Sequence, residues 1–227
     1  MFPMEAQENI PEFTLEALAG QLRSPSGTAG VSVGHTMHES NIAMTRNAFT
    51  ALGLQEGDHI LELGHGNGHH LKEILMSIPE LQYYGLDISA LMHKEATDFC
   101  DAVQLQEQVS FGLYDGRTLP FEDHVFDKIT TVNTLYFWAD PLALMQELYR
   151  VLKPGGLCSI AFVDKASMDQ LPFTEFGFTK YDRSHFEVLM SNTPFILNRI
   201  PEYTEMVRNK MGQEMTRRYY VAVLQKP

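Results

Sequence analysis

The stretch HILELGHGNGHHLKEILMSIP, His59–Pro79, decides the fold. HILEL (His59–Leu63) is a short apolar run suited to a strand. Gly64, Gly66 and Gly68 follow at alternate positions and predict a tight turn with positive φ. Leu71, Ile74, Leu75 and Ile78 then recur at i, i+3, i+4 and i+7, the stripe of an amphipathic helix that Pro79 ends. A strand, a thin glycine turn and a helix form the opening unit of a parallel α/β sheet.

Outward from this unit the alternation continues. QYYGLDI (Gln82–Ile88) reads as a second strand, and Ser89 caps a helix whose inner face is Met92, Ala96, Phe99 and Val103. Gln108–Tyr114 is a third strand, and Phe126–Tyr136 contains a fourth. Asp140 before Pro141 starts a helix lined by Leu144, Leu148 and Val151. LKPGG turns the chain into a fifth strand ending at Val163, Asp182 caps a helix to about Met190, and Phe195–Ile200 and Thr216–Gln225 read as the last two strands. On the N-terminal side, Glu12–Leu22 reads as a short helix and the Ser/Gly-rich Arg23–Thr36 as irregular. A second helix is expected from Ser40, with Ile42, Thr45, Phe49 and Leu52 on one face and Gly53 as its stop. Crossovers of this kind require a doubly wound, mostly parallel sheet, with ligands beyond the carboxyl ends of the strands. Residues 1–57 are expected to form a helical lid and substrate segment, and 58–227 the ligand-binding domain.

Composition narrows the function. The 227 residues carry 29 acidic and 17 basic side chains, a formal charge of −12, which disfavours nucleic acid as a partner. The longest apolar runs, such as Leu157–Val163, fall far below the roughly 20 residues of a membrane span. MFPMEAQENIPEF lacks the pattern of a secretory signal, and Cys100 and Cys158 form no CxxC pair, so two reduced thiols in a cytoplasmic protein are expected. Nothing in the chain sets an oligomeric state.

The polar residues at the strand ends define the chemistry. The glycine turn lets a ligand approach the backbone, and the helix after it offers free N–H groups. Glu62, just before the glycines, would repel a phosphate but attract an ammonium group, so an amino-acid zwitterion suits the turn better than a pyrophosphate. Asp87 ends the second strand, where a carboxylate can accept from both hydroxyls of a ribose. Asp115 and Gly116 follow the third strand, and Asn133 the fourth. Each alone also fits an ordinary turn or cap.

Together, ILELGHGNGHH, GLDIS, LYDGRTLPFEDHVFDKI and LKPGGLCSIAF resemble the successive motifs of class I S-adenosylmethionine-dependent methyltransferases, closest to the type 11 family. The resemblance covers about Gly57 to Val163. It implies a Rossmann-like seven-stranded sheet whose last strand, Thr216–Gln225, is antiparallel. It implies that Glu62, Gly64, Gly66 and Gly68, with Asn67 in the same loop, surround the methionine portion of S-adenosylmethionine. Asp87 would hold the ribose, Asp115 and Gly116 the adenine, and Asn133 would stand beside the methionine or the reaction centre. His65, between the first two glycines, departs from the small residues or proline frequent there.

Methyl transfer to a small-molecule acceptor, releasing S-adenosylhomocysteine, is the expected activity. Rival readings are a protein that binds S-adenosylmethionine without turnover and a nicotinamide oxidoreductase. The GxGxG spacing and Glu62 disfavour the latter. No catalytic residue is singled out. Candidates for a general base are His35, His38, Tyr136, Asp140 and His185. His65, His69 and His70 lack metal-ligand spacing, so no metal is expected. Acceptor recognition is expected from Arg23–Asn41, Leu135–Asp140 and Lys165–His185, which are rich in aromatics. The charged tail from Arg199 to Arg218 reads as a solvated face.

Overall fold

A computed structural model describes residues 13–208 and 214–227. The start expected at Glu12, and Lys210 in the charged tail, lie outside the described residues. Helix α1 (Leu15–Arg23) is capped by Thr14, whose hydroxyl accepts from the Ala17 N–H at 3.2 Å. Helix α2 (Gly27–Thr50) follows, then β1 (His59–Leu63), α3 (Leu71–Ser77), β2 (Gln82–Asp87) and α4 (Ala90–Ala102). Next come β3 (Val109–Leu113), β4 (Phe126–Val132), a 3-10 turn at Leu135–Phe137, α5 (Pro141–Val151) and β5 (Leu152–Val163). The chain continues through α6 (Lys165–Met168), a second 3-10 turn at Pro172–Glu175, α7 (Arg183–Met190), β6 (Ile196–Arg199), β7 (Glu202–Arg208) and β8 (Glu214–Gln225).

The expected caps at Ser89, Asp140 and Asp182 form: each side chain accepts from the backbone N–H three residues on. The sheet runs β3-β2-β1-β4-β5-β8-β6, with β7 also on β8. Strands β1 to β5 pair in parallel, and β8 runs antiparallel to β5, from Leu157↔Gln225 to Val163↔Tyr219. The sheet therefore has eight strands among the described residues, where seven were expected. The extra strand comes from the charged tail. β6 and β7 pair with successive parts of β8 on the edge away from β5, separated at Ile200 and Pro201. Arg217 in this tail is buried rather than solvated.

The largest correction concerns Arg23–Thr36. This passage is helical from Gly27, and α2 runs unbroken for 24 residues through Ser40, which is an interior residue and not a cap. Glycine here serves packing. A Cβ on Gly34 would lie 2.8 Å from the Met92 side chain, and one on Gly30 would lie 2.8 Å from Leu91. Bare backbone lets α2 rest on α4, and that contact offsets the roughly 1 kcal/mol that each helix-interior glycine costs relative to alanine.

The C-terminal half of α2 belongs to the core. Met44 and Ala48 join the cluster of β1, β4, β5, β8, α5 and α7, while Phe49 and Leu52 join a second one with α3, α4, β1 and β2. Phe162 stacks on Phe186 at 4.8 Å in the larger cluster. Cys100 and Cys158 are free and buried. No described helix is long and apolar enough to cross a membrane.

Asp140→Ala removes the carboxylate that accepts from the Ala143 N–H at 3.0 Å. Urea unfolding should show a loss of about 1 kcal/mol, with no change in ligand affinity.

Candidate functional site

Chain order reverses between β1 and β4. From β1 the chain moves outward to β2 and β3, then returns to β4 on the other side. The loops after these two strands must therefore part and leave a crevice. Gly64 leaves β1 with φ +75°, and its N–H donates to the Leu86 carbonyl at 2.7 Å. A Cβ there would lie 2.4 Å from the Thr134 side chain in the loop after β4. Thr131 Oγ1 donates to the Leu63 carbonyl at 2.9 Å and ties the same two strand ends.

The crevice opens into a cavity of about 290 Å³. Glu62, Gly64, Gly66, Asn67, Asp87, Asp115, Gly116 and Asn133 all line it. Gly68 does not. Its φ is +71°, and a Cβ would meet Ala96 at 3.0 Å, so this glycine packs the turn onto α4 instead of forming the wall. Gly66 has φ +58° and open space where its Cβ would project.

Two carboxylates are built in from the strand tips. Asp87 is buried, with Oδ2 accepting from the Gly66 N–H at 3.1 Å and Oδ1 from the Ser89 N–H at 2.8 Å. Burial pushes its carboxyl up from the ordinary range. Each oxygen keeps room for a second donor. Glu62 Oε2 accepts from Tyr83 Oη at 2.6 Å and from His70 Nε2 at 2.8 Å. The helix start thus sends His70 inward to Glu62, while His69 turns to His35, His38 and Phe99. Among the described residues, no three His, Cys, Asp or Glu are arranged to hold a metal.

His65 points down beneath the turn. Its Nδ1 donates to the Gly66 carbonyl at 2.8 Å, and its ring packs at a tilt against Phe111 with centroids 4.8 Å apart. Gly85 makes room for it, since a Cβ there would lie 2.8 Å from the ring. Burial lowers its pKa. Asn67 Nδ2 is buried with no hydrogen-bond partner among the described residues, a free donor in the cavity wall. Asp115 is exposed, and its Oδ1 accepts from the Arg117 and Thr118 N–H groups, both at 2.8 Å. These bonds hold its carboxyl below the usual range.

A second cavity of about 110 Å³ adjoins the first. Leu22, Met37, Asn41, Asn133 and Phe137 line both. Its other walls include Val163, Met168, Leu171, Phe173, Phe178 and Met215. Of the expected recognition aromatics, Tyr136, Phe137, Phe173 and Phe178 reach it. Trp138 lines the first cavity, Tyr181 packs in the core and Phe176 is exposed.

The base candidates separate. His38 lines the first cavity; burial and the nearby His70, His69, His35 and Arg46 lower its pKa to about 4. His35 packs against His69 and is not on the wall of either cavity. The Tyr136 hydroxyl accepts from the Val163 N–H and donates to Asn133 Oδ1 at 2.9 Å. Burial raises its pKa, so it positions Asn133 rather than removing a proton. His185 is exposed on α7 with Nδ1 2.9 Å from Asp182, and Asp140 caps α5; neither lines either cavity. The spacing reading missed the β7–β8 residues Val207, Met215 and Arg217. Only strand register brings these to the walls.

The donor set suits S-adenosylmethionine. Its two buried carboxylates, Glu62 and Asp87, are groups able to pair with an ammonium group and with ribose hydroxyls. The backbone is bare at Gly66, and the unpartnered Asn67 amide can meet a carboxylate.

Comparison with known proteins agrees. A family model described as a methyltransferase domain matches residues 61–160. An uncharacterized methyltransferase of Bacillus subtilis, YdaC, is 30% identical over 129 residues, covering 56% of this chain and 68% of that one. The bifunctional biotin biosynthesis protein BioHC of Teredinibacter turnerae is 32% identical over 120 residues, 51% of this chain but 21% of that one. The chain thus spans about a fifth of BioHC and two thirds of YdaC. A chain of the Haloferax volcanii complex with the Trm112 methyltransferase activator superposes with a TM-score of 0.75 at 18% identity, covering 94% of this chain and 97% of that one.

Acid should weaken the fold. Unfolded, His38 takes a proton near 6.5; folded, only near 4, so the unfolded state binds more protons in that window. His65 and His69 act in the same direction. Urea midpoints should fall as pH drops from 6.5 towards 4, and His38→Gln should flatten that slope.

Proposed function

Because this chain belongs to the class I S-adenosylmethionine-dependent methyltransferases, we propose that it methylates a small, largely apolar acceptor held in the second cavity, with S-adenosylmethionine in the first. The observation that carries this reading is the wall the two cavities share at Asn133, Phe137, Met37, Asn41 and Leu22. When bound, S-adenosylmethionine supplies a methyl group already activated on a positively charged sulfur.

The protein's part is binding and alignment. Asp87, held by two backbone N–H groups, accepts from ribose hydroxyls with its remaining lone pairs. Glu62, steadied by Tyr83 and His70, faces the ammonium end, while the Asn67 Nδ2 group donates to the carboxylate beside the bare Gly66 backbone. Asp115, Gly116 and Ile88 receive the adenine. Asn133, fixed by Tyr136, stands at the junction and orients the acceptor. Within residues 1–57 the lid is formed by α1, the turn after it and the N-terminal half of α2, which supply Leu22, Arg23, Pro25, Met37 and His38 and exclude water, while the C-terminal half of α2 belongs to the core. In-line alignment of donor and acceptor can contribute about 7–11 kcal/mol.

Calorimetry with S-adenosylmethionine and S-adenosylhomocysteine tests the cofactor half. Release of the latter with a panel of acceptors tests turnover. No heat with either nucleoside would sink the reading.

Asp87→Ala should weaken cofactor binding by about 1.5–3 kcal/mol per lost charged hydrogen bond. Gly66→Val, which fills the open space at that position, should reduce affinity at least about tenfold, roughly 1.4 kcal/mol. Circular dichroism would check that each variant is folded.

A further inference from the structure

The polar side chains at the junction of the two cavities are Asn41 and Asn133, each on the wall of both. Their partners fix which end of each amide is spent. The Tyr136 hydroxyl accepts from the Val163 N–H, so its one proton goes to Asn133 Oδ1, 2.9 Å away. Arg217 can only donate, and its Nη1 reaches Asn41 Oδ1 at 2.9 Å. Both amide oxygens are therefore engaged, and Nδ2 is the end that each asparagine keeps for a ligand.

Charge on the acceptor side has the same sense. The chain carries a net −12, yet among the described residues the only charged side chains on the second cavity are Arg208 and Arg217. Arg217 is buried and also donates to Glu205 at 2.7 Å and to the Ser40 carbonyl at 2.6 Å. Glu205 does not line the cavity, and Glu62 and Asp87 line only the first. The Ser40 and Thr174 hydroxyls on this wall give their protons to the Met37 and Met168 carbonyls. The rest is apolar, chiefly Phe173, Phe178, Met168 and Met215, and the volume of about 110 Å³ suits one ring or a short alkyl chain.

This wall of donors separates the possible nucleophiles. An ammonium ion would lose its water without gaining a partner. A neutral amine has one lone pair, so a donor that held it would cover the pair that must attack the methyl group. An alcohol must shed a proton, and no His, Asp, Glu, Lys or Cys among the described residues lines the second cavity to take it. Sulfur is a weak acceptor and gains little from amide N–H groups. A carboxylate only accepts, and its two oxygens hold about four lone-pair sites. Two or three donors can therefore grip it and leave a pair free to react. Its ordinary pKa of about 4.3 makes it an anion at neutral pH with no base.

We infer that the acceptor is a small apolar carboxylic acid, bound as its carboxylate, and that the Asn41 and Asn133 amides hold that group at the junction while it is esterified. The inference rests on the acceptor cavity proposed above and names its substrate class. Arg208 and Arg217 draw the anion to a wall that is locally positive. A lone pair on one carboxylate oxygen forms the new oxygen–carbon bond to the methyl group. The old sulfur–carbon bond breaks with its electron pair passing to the donor sulfur. One negative and one positive charge cancel, and no proton is taken up or released. The products are a methyl ester and S-adenosylhomocysteine.

Phenylacetate, phenylacetamide and 2-phenylethanol share one frame and differ in the head group. In calorimetry on protein saturated with S-adenosylhomocysteine, phenylacetate should bind at least about tenfold more tightly than either of the others. Asn41→Asp and Asn133→Asp each keep an oxygen for Arg217 or Tyr136 but put an acceptor in place of the donor. Each should lower phenylacetate affinity at least about tenfold and move 2-phenylethanol affinity by less than about twofold, a split that a purely structural role would not produce. With S-adenosylmethionine, mass spectrometry should find methyl esters of phenylacetate and of hexanoate, a ring and an alkyl chain. Their rate should be level from about pH 6 to about pH 9, since the acids are ionised throughout. Equal affinity for the amide or the alcohol overturns the inference, as does unchanged phenylacetate affinity in both variants. Faster methylation of 2-phenylethylamine or 2-phenylethanol also overturns it. So does protein that binds S-adenosylmethionine but esterifies neither acid. Failure to bind S-adenosylmethionine at all would instead overturn the proposed function.

Discussion

The molecule depends on a missing side chain at the tip of the first strand. Gly64 turns out of β1 at positive φ directly beneath Thr134, where a Cβ would stand 2.4 Å from that side chain. An L-residue would pay twice here, once in backbone strain and once in overlap with the loop after β4. With only a hydrogen in that place, the two loops at the reversal of strand order come together and still leave room for a ligand. The neighbouring turn atoms are then held from both sides, by Asp87 at the Gly66 N–H and by Gly68 against Ala96.

Around that turn the protein handles polar burial by pairing. Glu62 is fully inside, yet Tyr83 and His70 both donate to it. Asp87 is buried against two backbone amides. The partners come from β2, from the start of α3 and from the loop itself, so the cavity wall is stiff before any ligand arrives. The exceptions in the turn are His65 Nε2 and Asn67 Nδ2, both buried with no hydrogen-bond partner among the described residues, the latter a donor. An unpaired buried donor is costly in isolation, and its place in the wall of a cavity makes it a group that a ligand would satisfy.

Helix α2 joins the two halves of the design. Its C-terminal turns put Met44 and Ala48 into the sheet core, while its N-terminal turns bring Met37 and His38 to the cavity. A helix anchored in this way cannot swing as a unit without opening the core. The terminal hairpin reinforces it from the far side, where Arg217 of β8 donates to Ser40 and Asn41. The edge that read as a row of surface charges is therefore a clamp on α2 and one wall of the smaller cavity.

Local pattern was enough for much of this. Alternating glycines, capping residues at Ser89, Asp140 and Asp182, and period-two and period-3.6 apolar runs made the strands, the helices and the ligand rim legible, because each is set by neighbours within a few residues. Eight of the nine residues expected to contact the cofactor do line one cavity. The ninth, Gly68, carries the same backbone signature but serves packing, a difference that depends on Ala96 far along the chain. For the same reason Arg23–Thr36 looked irregular: glycine lowers intrinsic helicity, and only the surface of α4 opposite Gly30 and Gly34 compensates. The positions of His70, Arg217 and Tyr136, and the exclusion of His185 from the site, were likewise decided by tertiary structure. A side chain's partner across a sheet or between helices follows from register and packing, which no local run of residues encodes.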